Sequence, residues 1–278
     1  MPTIAVIGHF EWVTHTRGEV PVPGQIVHLQ DTIEEPAGGG AVTAAQIARL
    51  GVDCRFYTAM GDDAFGVASV SRLTDHGIGV RGARRDRPHP QALTIVDASG
   101  ERTILVTGGR ITPVIDDALP WSDLATHDAV YFIGDDPETL IAARAAPILV
   151  VAARRLPVLI ASGVQADVLV ASATDADESV DPDRLAVLPR AMVFTEGARG
   201  GRIIVDGAER RYPAVAPPGV VVDAYGAGDC FAGALTVGLA RGLDLDAAAA
   251  LGATCGAQAL TWRGGLGPVV FPAAHEQG

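Results

Sequence analysis

The sequence predicts an α/β fold with three layers, in which helices cover both faces of a mostly parallel central sheet. Short apolar runs of strand length recur along the 278 residues, beginning with Thr3–Gly8. Stretches rich in alanine and leucine, with apolar residues at helical spacing, lie between these runs. Buried parallel strands read as continuous apolar runs, and their alternation with helices is typical of α/β proteins.

The same two patterns predict the individual elements. After the first run, strands are predicted at Arg55–Thr58, Ala129–Ile133, Ile148–Val151, Val168–Val170, Met192–Thr195, Arg202–Val205 and Val220–Val222. Helices are predicted at Ala41–Leu50, Val67–His76, Thr139–Ala145 and Asp229–Arg241.

Two segments break the alternation of strand and helix. Residues 11–35 alternate polar and apolar residues around Pro21–Gly24, and residues 91–106 are predicted to form a hairpin that turns at Ala98–Glu101. We expect a small β-sheet lid over the carboxyl ends of the parallel strands, where ligands bind and closure excludes water. The sequence has no long linker, so residues 1–278 are predicted to form a single domain with this lid.

Composition excludes several classes of function. The net charge of −12 argues against binding to nucleic acid or to an anionic membrane. All 21 basic residues are arginine. Without lysine, neither a P-loop nor a protein-kinase site can be built, so any phosphoryl chemistry must use backbone amides, arginine and metal.

The cysteines and the apolar segments indicate the compartment. Cys54, Cys230 and Cys255 are odd in number and widely spaced, which predicts buried thiols rather than disulfides or a zinc site. We find neither a signal peptide nor an apolar segment of transmembrane length. A cytoplasmic protein is therefore expected.

The most specific signal is the segment Asp223–Asp229, with the pattern D-x-x-G-A-G-D before an apolar helix. The free N–H groups at a helix start can hold an anion, here those of Gly226, Ala227 and Gly228. Asp229 could cap the helix. Alternatively, it takes the proton from an acceptor hydroxyl while these amides stabilise the transferred group.

Weaker signals lie elsewhere in the chain. Pro36–Gly40 could bring backbone against a polyol, and Thr195–Gly201 could do the same for an adenine or a phosphate, although an ordinary turn explains each equally well. Asp175, Asp177 and Glu178 form an acidic cluster that could lie near a hydrated Mg²⁺ or in a solvated loop.

Taken in order, these motifs resemble the ribokinase-like (PfkB-type) carbohydrate kinase family over almost the whole chain. Gly8, the glycines 38–40, Gly61–Gly66, Gly100–Ile104, Thr195–Gly197 and Asp223–Asp229 occur in the family's order. The resemblance implies an ATP donor, Mg²⁺, and phosphorylation of a hydroxyl on a sugar or nucleoside.

The resemblance also implies roles for individual residues. Asp229 matches the catalytic base, and Gly226, Ala227 and Gly228 match the anion hole. Thr195, Gly197 and Gly200 fall in the nucleotide-binding turn, and Gly38, Gly39 and Asp135 on the acceptor side. Asp175 falls near the metal motif. Asp223, with Thr261–Gly265, falls where some members bind a monovalent cation such as K⁺.

The acceptor side departs from the family pattern. Glu11 and Val13 replace an Asn and an Asp that bind sugar hydroxyls, and Val42 replaces another Asn. Ribose specificity is therefore doubtful, and Glu11 could read a different hydroxyl pattern or an amine. A nucleoside kinase or a non-catalytic sensor of the same fold remains an alternative, and a homodimer through the lid is a further expectation.

Overall fold

The computed structural model describes residues 1–98 and 102–268 and builds them into two sheets and two layers of helices. The strands are β1 (Thr3–Ile7), β2 (Glu11–Arg17), β3 (Gln30–Ala37), β4 (Asp53–Gly61), β5 (Ile78–Arg85), β6 (Gln91–Val96), β7 (Arg102–Thr107), β8 (Ala129–Phe132), β9 (Ile148–Ala152), β10 (Val168–Ser172), β11 (Ala191–Thr195), β12 (Gly201–Val205) and β13 (Ala208–Tyr212). The helices are α1 (Gly39–Arg49), α2 (Ala64–Asp75), α3 (Pro137–Ala143), α4 (Leu156–Ser162), α5 (Ala227–Ala240) and α6 (Leu245–Ala259).

The large sheet has the strand order β13-β12-β11-β10-β9-β8-β1-β4-β5. The run from β11 to β5 is parallel throughout, and β12 and β13 add an antiparallel hairpin at one edge. Side chains of β1 alternate between two cores, with Ile4 and Val6 in one and Ala5 and Ile7 in the other. A parallel sheet buried on both faces needs this double covering.

Helices supply the outer layers. Ile47 of α1, Leu73 of α2, Leu235 of α5 and Ala248 of α6 pack into the core on one face of the sheet. The core of the opposite face receives side chains from α3 and α4, including Leu140 and Leu159. The predicted three-layer α/β class is confirmed.

The small sheet has the order β3-β2-β6-β7, and it comes from the two segments that break the sequence pattern. Strands β2 and β6 are parallel, and each outer strand pairs antiparallel with its neighbour. The observed strands leave out the proline-containing stretch around Pro21–Gly24. Most of the predicted turn at Ala98–Glu101, and the start of the Gly100–Ile104 motif, lie outside the described residues.

The strand predicted at Val220–Val222 is wrong. These residues join no sheet, and Val220 and Val221 are 83% and 57% exposed. The N–H of Val222 donates to the carbonyl of Leu260 at the end of α6, at 2.7 Å. The run follows Pro217-Pro218, whose nitrogens cannot donate a hydrogen bond to a neighbouring strand. The apolar character of Val220–Val222 was therefore not enough to predict a strand.

Within the described ranges, no helix is long and apolar enough to cross a membrane. All three cysteines are free and buried, as the sequence predicts.

Candidate active site

The start of α5 forms the floor of the site. Gly226 precedes the helix with φ of 73°, a left-handed conformation that suits glycine, and a Cβ there would lie 2.8 Å from Cγ1 of Val42. The N–H groups of Gly226 and Gly228 have no acceptor among the described residues, whereas that of Ala227 makes a long 3.5 Å bond to Ala224. The positive end of a 14-residue helix is thus open to an anion.

Asp229 lies in the first turn of this helix, facing the start of α1. A Cβ added at Gly39 would lie 3.1 Å from Oδ1 of Asp229 and 2.6 Å from Cδ1 of Ile133. Burial, assisted by the charge of Glu178, raises the pKa of Asp229 to about 6, against the opposite effects of Arg154 and Arg102. The carboxylate is therefore a stronger base than an exposed one.

A cluster of charges lies next to Asp229. Arg154, two residues after the end of β9, pairs with Asp175 and, through Nε at 2.9 Å, with Glu178. Glu178 also accepts from the N–H of Ser172 at 2.6 Å. Burial raises the pKa of Glu178. Asp175, which the sequence places near a metal, is thus ion-paired to an arginine.

Glu11 and Gly38 bring the small sheet to the same place. Glu11 begins β2, and a Cβ at Gly38, where φ is 90°, would overlap its Oε2 atom. Burial raises the pKa of Glu11 to about 7, with Arg110 and Arg155 opposing the rise and Asp229 adding to it. His9 lies 3.7 Å from Glu11, and burial holds the pKa of His9 well below its usual range.

Asp135 is held by two arginines. Its Oδ1 atom lies 2.9 Å from Nη1 of Arg155 and 3.7 Å from Nη1 of Arg110. Arg155 is buried, and its Nε donates to the carbonyl of Ile133 at 3.0 Å. Sequence reasoning identified Asp135 but neither arginine.

Asp223 connects the turn to the loop after α6. Its two carboxylate oxygens accept from the N–H of Tyr225 at 2.9 Å and from that of Gly264 at 3.3 Å. On the other side of this loop, Glu35 of β3 accepts from the N–H of Gly265 at 2.6 Å. The sequence associated Asp223 with this loop, and the structure brings the two together.

The turn after β11 contains Thr195, Gly197 and Gly200. Gly197 has φ of 59° and its Cβ position is open, so the turn offers bare backbone there. A Cβ at Gly200 would overlap the carbonyl oxygen of Tyr212, which accounts for that glycine by packing alone. The hydroxyl of Thr195 donates to the carbonyl of Ala171 at 3.5 Å.

The structure brings Asp229, Gly39, Gly38 and Glu11 together, and places Asp135 beside them through the two arginines. Arg110, Arg154 and Arg155 were missed. One signal could have found two of them. Arg154 and Arg155 come two alanines after the predicted strand Ile148–Val151, and ligands bind at the carboxyl ends of parallel strands.

Comparison with known proteins identifies the family of this chain. Residues 1–270 match the family model described as pfkB family carbohydrate kinase. The chain belongs to this family. This kinase is 28% identical over 260 residues to the acarbose 7(IV)-phosphotransferase of Actinoplanes sp., covering 87% of this chain and 86% of the relative. It is 29% identical over 274 residues to the ribokinase of Bacillus subtilis, covering 89% of each chain.

Other relatives extend the range of named activities and support the fold. The kinase is 30% identical over 276 residues to the aminoimidazole riboside kinase of Salmonella typhimurium, covering 85% of each chain. The solved ribokinase of Thermotoga maritima has a TM-score of 0.76 at 22% identity, covering 96% of this chain and 95% of that one. The solved adenosine kinase of Sinorhizobium meliloti has a TM-score of 0.79 at 18% identity, covering 97% and 96%.

Gly39 and Gly228, which adjoin Asp229 in space and in sequence, should differ in their tolerance of an added methyl group. Gly39→Ala forces a methyl group against Ile133 and Asp229, so we expect a loss of about 1–3 kcal/mol in the free energy of unfolding. Gly228→Ala adds its methyl group in open space within a helix and should not lower the melting temperature. Thermal unfolding of both variants measures this, and equal losses would show that Gly39 is not sterically required.

Proposed function

We propose that this kinase transfers the γ-phosphoryl group of ATP to a hydroxyl of a small sugar or sugar-like metabolite, with Asp229 as the general base. The observation that carries the proposal is a partly buried carboxylate, with its pKa raised to about 6, in the open first turn of α5. A base with a pKa near the working pH is suited to accept a proton from a hydroxyl.

The backbone at the helix start supplies the complementary charge. The free N–H groups of Gly226 and Gly228, with that of Ala227, form an anion hole for the phosphoryl group as it passes to the acceptor. Because amides are fixed by the helix, they need no rearrangement during the transfer. Arg154, whose charge acts on Asp229, adds a cation on the same side.

The donor nucleotide is assigned to the turn after β11. Thr195, Gly197 and Gly200 are its proposed contacts, and the open backbone at Gly197 supports the assignment. A solved relative, the ribokinase of Arabidopsis thaliana, is described as complexed with ribose and ATP. Carrying that donor to this kinase is part of the proposal.

The carboxylates present fit a hydrated Mg²⁺ rather than a closed metal cage. In the described part of the chain no group of three or more potential ligands has the geometry of a metal site. Asp175 and Glu178 are the proposed outer contacts, and the ion, when bound with ATP, neutralises phosphate charge. Asp223 and the Thr261–Gly265 loop are the proposed site for a monovalent cation.

The acceptor is assigned to the space between the two sheets. Glu11, Gly38, Gly39 and Asp135 are its proposed contacts, because they adjoin Asp229 from the small sheet, α1 and the loop after β8. In this arrangement the small sheet acts as the lid of a single-domain enzyme. Two of its residues interact electrostatically with Asp229. The charge of Asp229 raises the pKa of Glu11, and the charge of Arg102 lowers the pKa of Asp229.

A cytoplasmic location is proposed on two grounds. Use of ATP requires a compartment that contains it. The three free buried cysteines suit a reducing environment.

The proposed homodimer forms through the small sheet. Strand β7 is an edge strand, and its Ile104, Leu105 and Val106 are 43%, 49% and 55% exposed. Leu105→Lys should convert the dimer to a monomer in sedimentation velocity, because a charge on an edge strand opposes pairing. Leu243→Lys, at a similarly exposed leucine outside the sheet, is the control and should remain dimeric. A monomeric wild type would refute the dimer.

Replacement of the base should stop turnover without removing the site. Asp229→Asn keeps the shape of the side chain but cannot accept a proton, so kcat for ADP formation should fall about 10²–10⁴-fold. Binding of ATP, measured by calorimetry, should change little. Asp53→Asn, at the opposite end of the sheet, is the matched control. Turnover at the wild-type rate in Asp229→Asn would eliminate this residue as the base.

The activity should depend on pH in a defined direction. Below its pKa of about 6, Asp229 is protonated and cannot act as a base, so kcat/KM should rise with pH and level off above that value. Glu11→Gln should keep this inflection, because the charges that act on the pKa of Asp229 are those of Glu178, Arg154 and Arg102. A kcat/KM that is flat from pH 5 to 8 would contradict the assignment.

The same shift has a consequence for stability. The folded state raises the pKa of Asp229, so the folded protein binds the proton more tightly than the unfolded chain does, and stability falls as pH rises through about 6. Asp229→Asn should therefore raise the melting temperature at pH 8 more than at pH 5. An equal change at both values would show that the charge is not the cause.

A further inference from the structure

Beside the proposed acceptor position, two arginines share a single carboxylate. Asp135 lies between Arg155, at 2.9 Å, and Arg110, at 3.7 Å. One negative charge cannot neutralise two guanidinium groups, so the three side chains carry a net positive charge. This arrangement lies at the acceptor end of the site, because both arginines act on the charge of Glu11.

The guanidinium of Arg155 is fixed and incompletely satisfied. The residue is 7% exposed, and Nε and Nη1 are used by Ile133 and Asp135. Its Nη2 atom is buried and has no hydrogen-bond partner in the described part of the chain. An unpaired buried donor of this kind lowers the free energy of unfolding unless a bound ligand accepts its hydrogen bond or balances its charge.

Arg110 is the accessible member of the cluster. Its side chain is 45% exposed, and it makes no hydrogen bond to a described residue beyond the loose ion pair with Asp135. Its guanidinium therefore keeps donors that no described residue uses. A planar fork of donors suits the oxygens of a carboxylate or phosphate, which it can bind in pairs.

The remaining titratable groups leave this positive charge in place. Burial raises the pKa of Glu11 to about 7, so near neutral pH this carboxyl is protonated much of the time. His9 is held neutral by burial and by the neighbouring arginines. The carboxylate of Asp229 is associated instead with Arg154 and Arg102.

We propose that the acceptor carries an anionic oxygen group, a carboxylate or a phosphate, in addition to the hydroxyl that is phosphorylated, and that Arg110 binds this group. The preferred substrates would be sugar acids or sugar phosphates rather than neutral sugars. This inference rests on the proposed function, since it assigns the acceptor of the same site.

Matched acceptor pairs test it. Glucose is compared with gluconate, and fructose with fructose 6-phosphate, so that the two pairs separate carboxylate from phosphate. For each we measure kcat/KM of ADP formation and, without nucleotide, the shift in melting temperature. The proteins are the wild type, Arg110→Gln and the control Arg190→Gln. Arg190 is an exposed arginine just before β11, and it pairs with Asp167 at 3.5 Å.

In the wild type, kcat/KM for at least one anionic acceptor should be about tenfold higher than for its neutral partner. Arg110→Gln should lower kcat/KM for that anionic acceptor roughly 10–100-fold, the range expected for a charged hydrogen bond. The neutral member should change less than about threefold, and Arg190→Gln should leave both unchanged. Higher kcat/KM for the neutral members, with no effect of Arg110→Gln, overturns the inference but leaves the kinase assignment intact.

The binding measurement separates the remaining outcomes. If no acceptor yields ADP but an anionic one raises the melting temperature of the wild type and not of Arg110→Gln, the anion site stands and the proposed function is weakened. If no shift depends on Arg110 and no anionic acceptor is preferred in turnover, the inference is wrong.

Discussion

A carboxylate held partly out of water at the first turn of α5 is the constraint on which the rest of the site depends. Keeping Asp229 there disfavours its charge and raises its pKa to about 6. The surroundings are arranged around it: Gly39 leaves room for Oδ1, and Arg154 supplies an opposing charge. Holding such an unfavourable charge lowers stability, and the proposed role of Asp229 as the base gives that charge a use.

The small sheet is joined to this turn by hydrogen bonds to backbone. Glu35 of β3 accepts from Gly265, and Asp223 accepts from Gly264 one residue earlier in the same loop. The hydroxyl of Tyr225 accepts from the N–H of Gly38 at 3.3 Å. Since carboxylate–amide bonds are stronger than neutral ones, the positions of the small-sheet strands and of the turn before α5 are set together.

Local patterns were sufficient for the fold, apart from one strand, and they pointed to the residues proposed for phosphoryl transfer. The parallel strands follow from apolar runs, and the anion-binding turn follows from its own residues, because each is determined by short-range chemistry. The prediction of a strand at Val220–Val222 failed because a strand needs a neighbouring strand to pair with, which an apolar run does not specify. Arg110 and Arg155 were not predicted for a related reason. An arginine in a loop is ordinarily solvated, and only tertiary contacts bring these two to Asp135.

The two ends of the site use different chemistry, and this lets one change without the other. In the proposed mechanism, phosphoryl transfer relies on Asp229 and on amides fixed by α5, which few side-chain substitutions can alter. The proposed acceptor end relies on side chains from separate loops, with Asp135 after β8, Arg155 after β9 and Arg110 after β7. Substitution at any of these three positions alters the charge that the acceptor meets while α5 keeps its geometry. A chain with no lysine makes that charge permanent, because a guanidinium does not lose its proton within the working range of pH.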